Sequence, residues 1–588
     1  MNDVLQQYRL AASPIPQTML AWELYGSGFE KLGKGNRPAE IPVPRPGPGE
    51  LLARVDACGL CFSDVKIINL GGEHPRLSGR DLATRPVIPG HEAALTIVEI
   101  GRDLTGSFKV GDRFIVQADI TYKGRGLAFG YALPGALAQY VPIGREILHG
   151  DDGCYLLPTR PSTGYAEAAL AEPWACVEAS YRAVYRTALK ANGIALFLGA
   201  PHGAASYEIS AGMDAASHPH QVLLHNSLGP TVAADLAAKA RAAGAVVAEC
   251  RGPVRRLPER YADGAAFDDV VVLGTPDKGA ATAAAACLAK GGILNIVATD
   301  AIGDQVAVDV GRIHYEATYY VGTTGTDIAE AYRQVRPSGS ELSAGGAALF
   351  LGAGGPMGQM HVQRALEMED GPAVVVATDI DADRLAGVEQ RFRATARQRG
   401  AKLVCLNPAT MSDEAFSDAL NRTTRGRGFD HICTLVPSAE LIGQAADWLG
   451  PRAVMNIFAG IALGTMAELD LSRVYRQGAR FVGTSGSAIA DLQYTLKKTE
   501  AGNLSPNGSV AAIGGINAVK EGLRAVAEGR FPGKIVIYPQ IPDLELAALP
   551  QLRKSAPDVA DGLDSGATWS KTAEEALLSR HVAARGGA

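Results

Sequence analysis

Ala347-Ala348-Leu349-Phe350-Leu351-Gly352-Ala353-Gly354-Gly355-Pro356-Met357-Gly358 reads as an apolar strand, a glycine-rich turn and the opening of a helix. The helical run continues from Gln359 to Met368, and a further apolar strand, Ala373 to Thr378, ends at Asp379. Glycines in such a turn let the backbone approach a pyrophosphate that rests on the helix N-terminus. A carboxylate about 20 residues beyond them takes both ribose hydroxyls of NAD and repels the extra phosphate of NADP. The candidate NAD-binding residues are therefore Gly352, Gly354, Gly355, Met357, Gly358 and Asp379. The glycine spacing is one residue longer than G-x-G-x-x-G, and the strand–turn–helix–strand–Asp context carries the assignment.

The same pattern occurs earlier in the chain. Ile194 to Ala200 matches Ala347 to Ala353, Leu294-Asn295-Ile296 matches Met455-Asn456-Ile457, and Tyr320 to Thr326 matches Phe481 to Ser487. Phe267-Asp268-Asp269 matches Phe429-Asp430-His431 with the spacing changed by one residue. Apolar strands alternating with Ala-rich helical segments indicate a parallel sheet with crossover helices. A whole Rossmann-like unit is thus duplicated. In the first copy the turn reads Gly199-Ala200-Pro201-His202-Gly203, with proline for the second glycine and Asn226 at the carboxylate position. The expectation is a fold that survives with dinucleotide affinity weakened or lost, and a second, altered nucleotide or effector site is the alternative.

Upstream, three fragments stand out: Cys58-Gly59-Leu60-Cys61-Phe62-Ser63-Asp64, Gly90-His91-Glu92 and Ala171-Glu172-Pro173. They bring a thiolate, an imidazole and two carboxylates into one stretch of chain. A catalytic zinc takes three protein ligands and keeps one position open, and Cys61, His91 and one or both of Glu92 and Glu172 fit that need. Alone, the C-x-x-C pair reads equally as a redox pair, half of a structural zinc site or plain core. His91 alone reads as a buried, hydrogen-bonded histidine. Residues from about 41 to 150 form short strands broken by Gly and Pro, an all-β pattern.

In this order the fragments resemble the zinc-dependent medium-chain alcohol/polyol dehydrogenase family, near its sorbitol and threonine dehydrogenase branch and its sorbose-1-phosphate reductase-like members. The resemblance implies an α/β chain: a GroES-like β-barrel catalytic domain plus, here, two tandem doubly wound Rossmann domains. It implies that Cys61 and His91 are zinc ligands, that Glu92 is a ligand or its close neighbour, and that Glu172 is an exchangeable fourth ligand. Ser63 matches the hydroxyl that passes on the substrate proton, and Asp64 a carboxylate behind the ligands. Cys58 falls outside the ligand set. Lys66 stands where many relatives carry a relay histidine, which leaves the final proton route open. Gly111 to Val141 contains no cysteine for a second, structural zinc, so one catalytic zinc is expected.

The expected boundaries are 1–190 for the catalytic domain, 191–340 for the degenerate copy, 341–525 for the NAD-binding copy and 526–588 for a return segment, in which Gly533 to Pro539 supplies a strand of the catalytic domain. A length of 588 residues is too great for one core. A net charge of -6 without a basic run gives nucleic-acid binding no electrostatic support. The start has no signal pattern, no apolar stretch is long enough to span a membrane, and the eight cysteines are scattered, which points to the cytoplasm. The expected function is hydride transfer between NAD and a secondary alcohol or ketone of a polyol, sugar or sugar phosphate. The rivals are a redox-neutral epimerase with tightly held NAD and a non-catalytic sensor or scaffold. The two copies are expected to pair through their last strands, Tyr319 to Thr323 and Arg480 to Thr484, as a pseudo-dimer inside one chain, because exposed sheet edges are normally covered. Self-association through other surfaces stays open. Arg76, Arg80 and Arg85 either receive a substrate phosphate or carboxylate or are solvated loop charges.

Overall fold

Leu51–Gly59 and Glu92–Ile100 are nine-residue strands that pair antiparallel, and every residue of the first is buried, Arg54 and Asp56 included. The structure, a computed structural model, describes residues 2–585 except 78, 262–265 and 335–338, with side chains from 5 to 581. Its chain contacts group into two units. One holds Met1–Glu178, Gly355–Met360 and Gly486–Ala588; the other holds Ala179–Gly354 and His361–Ser485.

The first unit is built on one mixed sheet. Its strands run in the order Ala547–Ala548, Val510–Gly515, Lys534–Tyr538, Leu51–Gly59, Glu92–Ile100, Arg113–Val116 and Leu156–Pro158, with Tyr140–Ile143 also paired to Leu51–Gly59. Lys534–Tyr538 lies antiparallel to Leu51–Gly59, with Ile537 opposite Cys58. Trp22, Leu51, Val55, Leu95, Phe114, Ile535 and Ile537 share one core. The strand Val510–Gly515, which falls inside the 341–525 span, runs parallel to Lys534–Tyr538 in this sheet. The return segment therefore begins before 526. Its sequence, Val-Ala-Ala-Ile-Gly-Gly, is indistinguishable in composition from a buried strand of a parallel sheet, and only its partner places it.

The second unit contains two six-stranded parallel sheets of identical strand order, 3-2-1-4-5-6. In the first copy these strands are Ile194–Gly199, Gln221–His225, Val246–Cys250, Phe267–Leu273, Leu288–Val297 and Tyr319–Thr323. In the second they are Ala347–Leu351, Val374–Thr378, Lys402–Leu406, Phe429–Thr434, Leu449–Ile457 and Arg480–Val482. A shared staple repeats: Asp268 accepts from the Ile194 amide at 2.9 Å, and Asp430 from the Ala347 amide at 2.8 Å. The copies differ between their first and second strands. The second copy has the helix Pro356–Glu367 there, whereas residues 200–220 of the first contain none. Tyr207 instead closes the first turn, its hydroxyl accepting from the Ala204 amide at 2.7 Å.

The copies meet through reciprocal contacts. Val306–Asp309 pairs antiparallel with Met466–Leu469, and Ala307 lies opposite Glu468, its own counterpart at the offset that relates Leu294 to Met455. A Cβ on Gly322 would come within 2.5 Å of Tyr475 Cβ, and one on Gly483 within 2.8 Å of His314 Cα. Those four residues are two counterpart pairs at the same offset. The last strands Tyr319–Thr323 and Arg480–Val482 stand close together, yet each closes its own sheet. The hydrogen-bonded crossing is made by the pair 306–309 and 466–469, not by the edges expected from sequence. One apolar core, with Leu294, Val308, Tyr320, Met455, Ala467 and Phe481, runs through both copies.

Forcing side chains into this close approach should loosen the unit. Gly322→Val and Gly483→Val should each cost about 1–3 kcal/mol by overpacking. Gly387→Ala, in the helix Ala382–Gln398 with open space around it, should stabilise by up to about 1 kcal/mol. Thermal melts read both signs, and equal shifts in the three variants would show that backbone contact between the copies is unimportant.

Candidate active site

The helix Phe62–Leu70 starts from Cys61, whose extended backbone turns the chain out of strand Leu51–Gly59. Asp64, in the first turn, is buried, and its carboxylate binds three groups. Oδ2 accepts from the Cys61 amide at 3.0 Å, Oδ1 accepts from the Gly90 amide at 3.1 Å, and His91 Nδ1 lies 3.1 Å from Oδ1. A proton on Nδ1 in that contact leaves Nε2 as the nitrogen with a free lone pair. Gly90 is in the left-handed region, φ 96, where a Cβ would strike Leu137 at 2.8 Å. Burial works against charge on His91, but Asp64 beside it holds the ring well above the usual histidine range.

Glu92 opens its strand directly opposite Gly59. A Cβ on Gly59 would come 2.0 Å from Glu92 Oε2, so only glycine leaves room for this carboxylate. Glu92 is fully buried; Oε1 accepts from the Lys534 ammonium at 2.5 Å, and Oε2 has no hydrogen-bond partner among the described residues. One donor atom each from Cys61, His91 and Glu92 lies within 4.8 Å of the others. A thiolate, an imidazole and a carboxylate with an orphaned oxygen form a donor set that fits zinc.

Glu172 lies in the helix Tyr165–Ser180, outside that three-residue cluster but within electrostatic reach of His91 and Glu92. Burial raises its carboxyl to about 7, with His91 opposing and Glu92 and Asp119 adding to the shift. Ser63 is half-exposed beside Asp64, and Lys66 is exposed one turn on. Cys58 is buried against the Gly59 carbonyl at 3.4 Å and takes no part in the cluster.

Two groups escaped the sequence reading. Lys534 is one, and its signal was available: a lysine heads the strand Lys-Ile-Val-Ile-Tyr, in which every residue is buried. Its ammonium is pushed upward because Glu92, Cys61 and Glu172 outweigh its burial. Tyr131 is the other. Its ring lies 5.9 Å from that of His91 and 5.3 Å from that of His74, and the Arg76 guanidinium stands 5.3 Å over it. Arg76 also pairs with Asp119. Nothing in the local pattern around Tyr131 marks it.

In the second copy, Gly352 has φ 84, where a Cβ would meet Val436 at 2.6 Å. Asp379 follows the strand Val374–Thr378; Oδ2 accepts from the Gly354 amide at 2.8 Å and Oδ1 from the Asp381 amide at 3.0 Å. A Cβ on Gly354 would come within 2.6 Å of Asp379 Oδ2, while one on Gly355 would touch nothing. Met357 and Gly358 open the helix Pro356–Glu367, so a strand, a glycine turn and a helix N-terminus follow one another as the motif requires. In the first copy the corresponding helix is absent from residues 200–220, and no helix N-terminus follows the turn.

The model of the alcohol dehydrogenase GroES-like domain matches residues 47–150. The uncharacterized protein YggP of Escherichia coli (strain K12) is 32% identical, over 92% of this chain and 93% of its own length. L-sorbose 1-phosphate reductase of Klebsiella pneumoniae is 28% identical, over 91% of this chain and 93% of its own. Among solved structures, 2R,3R-butanediol dehydrogenase from Bacillus subtilis matches with a TM-score of 0.50 at 16% identity, covering 89% of this chain and 99% of that one. That likeness concerns the fold. With a barrel sheet and two Rossmann sheets behind these matches, the chain belongs to the zinc-dependent medium-chain alcohol and polyol dehydrogenase family and is an oxidoreductase of the dehydrogenase type.

Proposed function

We propose that the protein interconverts a secondary alcohol and a ketone on a polyol, sugar or sugar phosphate, with one zinc held by Cys61, His91 and Glu92 and NAD held by the second Rossmann copy. The observation that carries this reading is the buried donor cluster with its orphaned Glu92 oxygen. The relative named L-sorbose 1-phosphate reductase supports the substrate class.

Zinc, when bound, supplies Lewis acidity toward a hydroxyl or carbonyl oxygen. NAD, held by the second copy, would supply the hydride acceptor, and its reduced form the donor. The chain's own residues do the rest. Asp64 fixes the His91 ring through Nδ1. Lys534 balances the Glu92 charge. Ser63 takes the hydroxyl proton toward solvent, and Glu172, with a carboxyl near neutrality, stands as an exchangeable ligand. Gly352, Gly354, Gly355, Met357 and Gly358 supply the pyrophosphate turn, and Asp379 binds the ribose and selects NAD over NADP. The reciprocal contacts support a pseudo-dimer inside one chain, with the first copy as scaffold. No helix among the described residues is long and apolar enough to cross a membrane.

Cys61→Ala should lose bound zinc and at least about a thousandfold in turnover while keeping NAD affinity. Cys58→Ala should keep its zinc. Metal analysis beside NAD titration reads both, and full activity of Cys61→Ala in metal-free buffer would sink the site assignment.

Lys534→Met leaves the Glu92 carboxylate buried without its cation, which should cost the metal-free protein about 3–5 kcal/mol. Zinc offers Glu92 another cation, so the rise in Tm on adding zinc should be larger in the variant than in the wild type. A smaller rise would show that Glu92 does not share its charge with the metal.

Asp379→Ala should weaken NAD binding roughly tenfold and narrow the preference over NADP. Equal use of both dinucleotides by the wild type would refute the assignment.

A further inference from the structure

Three arginines lie in the segment between Gly71 and Val87, and the structure gives them different roles. Arg80 spends all three of its guanidinium nitrogens on backbone carbonyls, those of Arg85, Ala132 and Pro86. Its role is to hold the loop. Arg85 is exposed. Arg76 is different. It lies in the short turn Pro75–Leu77, which Leu77 anchors in the core. Nη1 pairs with Asp119, and the guanidinium lies over Tyr131, the ring that also packs against His91. Arg76 is thus fixed one aromatic ring away from the donor cluster. Its Nε and Nη2 have no partner among the described residues, and its side chain is 42% exposed.

Two more basic groups stand at the same place. His74 packs on Tyr131 at 5.3 Å. Its ring is held below the usual range by burial first and then by repulsion from Arg76 and Lys66, which puts both cations within electrostatic reach of it. Lys66 lies one helical turn beyond Ser63. A guanidinium with donors to spare, fixed beside a candidate metal cluster, and an ammonium within electrostatic reach of the same histidine form a receptor for a dianion. Asp119 fixes the guanidinium through one nitrogen and leaves the other two for a ligand.

Resting on the reading of this site as a polyol or sugar dehydrogenase, we propose that its substrate is a phosphate monoester, with Arg76 the specificity-determining residue that binds the phosphate and Lys66 its second cation. The phosphate takes hydrogen bonds from Nε and Nη2 while the reacting carbon lies at the cluster. A carboxylate at the end of the substrate would meet the same donors with half the charge.

The test uses the full-length, zinc-loaded protein with NAD, and follows NADH formation on matched pairs: hexitols, their 1-phosphates and the corresponding aldonates. The wild type should prefer a phosphate ester. Arg76→Met keeps an apolar stem over Tyr131 and should raise KM for the ester roughly tenfold to a hundredfold, with kcat changed much less. Its kcat/KM on the free polyol should hold within about threefold, the span of a neutral surface change. Inorganic phosphate should compete with the ester in the wild type and lose that effect in the variant. Arg85→Met should match the wild type on every substrate. A wild type that prefers a free polyol or an aldonate overturns this proposal and leaves the dehydrogenase reading standing. Equal losses on ester and free polyol in Arg76→Met also overturn it, because they mark a merely structural role. Absence of NADH with every compound overturns the polyol reading itself and this proposal with it.

Discussion

The Asp64 carboxylate ties the site together. It is buried, acts on the first turn of a helix, and reaches two pieces of backbone that are far apart in sequence, at Gly90, 26 residues on, and at Cys61. Its remaining contact orients His91. A buried carboxylate is tolerated only when its oxygens are satisfied, and here the satisfying groups are the ones whose placement matters. The same charge that fixes the His91 ring makes its free nitrogen a better donor. Cys61 and His91 are held by one shared acceptor, so neither can be positioned without the other.

A second charge closes the site from far along the chain. Glu92 begins one central strand and Lys534 begins another, more than 400 residues later. Their pair is fully buried, and burying a lone carboxylate without it would be costly. The return of the C-terminal segment into the barrel sheet therefore completes a core and neutralises a buried carboxylate in the same step. Gly59 takes part through its missing side chain, since any Cβ there would occupy the space of the Glu92 carboxylate. Stability and the proposed metal site meet in these three residues, which is why a purely apolar strand at 534–538 would not serve.

The two Rossmann copies show which parts of a duplicated domain can change independently. The glycine turn and the helix proposed to hold the dinucleotide lie between the first and second strands. The elements that join the copies lie after the fifth: Val306–Asp309, the helix Val310–Glu316 and Tyr319–Thr323, with Met466–Leu469, Ser472–Gln477 and Arg480–Val482 as counterparts. Loss of the helix in residues 200–220 leaves that second set untouched. A copy can thus surrender its ligand site while its apolar seam, with Tyr320 and Phe481 in one core, continues to require the fold.

What the sequence disclosed follows the range of the interactions concerned. The turn at Gly352 to Gly358, the fragment from Cys58 to Asp64 and the doubled strands are local or repeated, and each is written within a short window. The partners of those windows are not. Glu92 and Lys534 were both in view, but nothing in either segment names the other. Tyr131 enters through a loop with no periodicity, and its role comes from what packs on its two sides, His91 and Arg76. The crossing at 306–309 was missed for a related reason: an edge argument selects the last strand of a sheet, whereas the last strand of the first copy packs against the helix Ser472–Gln477 of the other copy, and the hydrogen-bonded pair is formed by a short strand that lies between the fifth and sixth in the chain. Proline at 201 announced a damaged turn, but the loss of a whole helix needed more. With Pro201, Gly203, Gly212 and Pro219 spread across the segment, no stretch long enough to nucleate a helix carries the propensity to overcome its entropy cost, and Tyr207 takes up the amide at Ala204 instead.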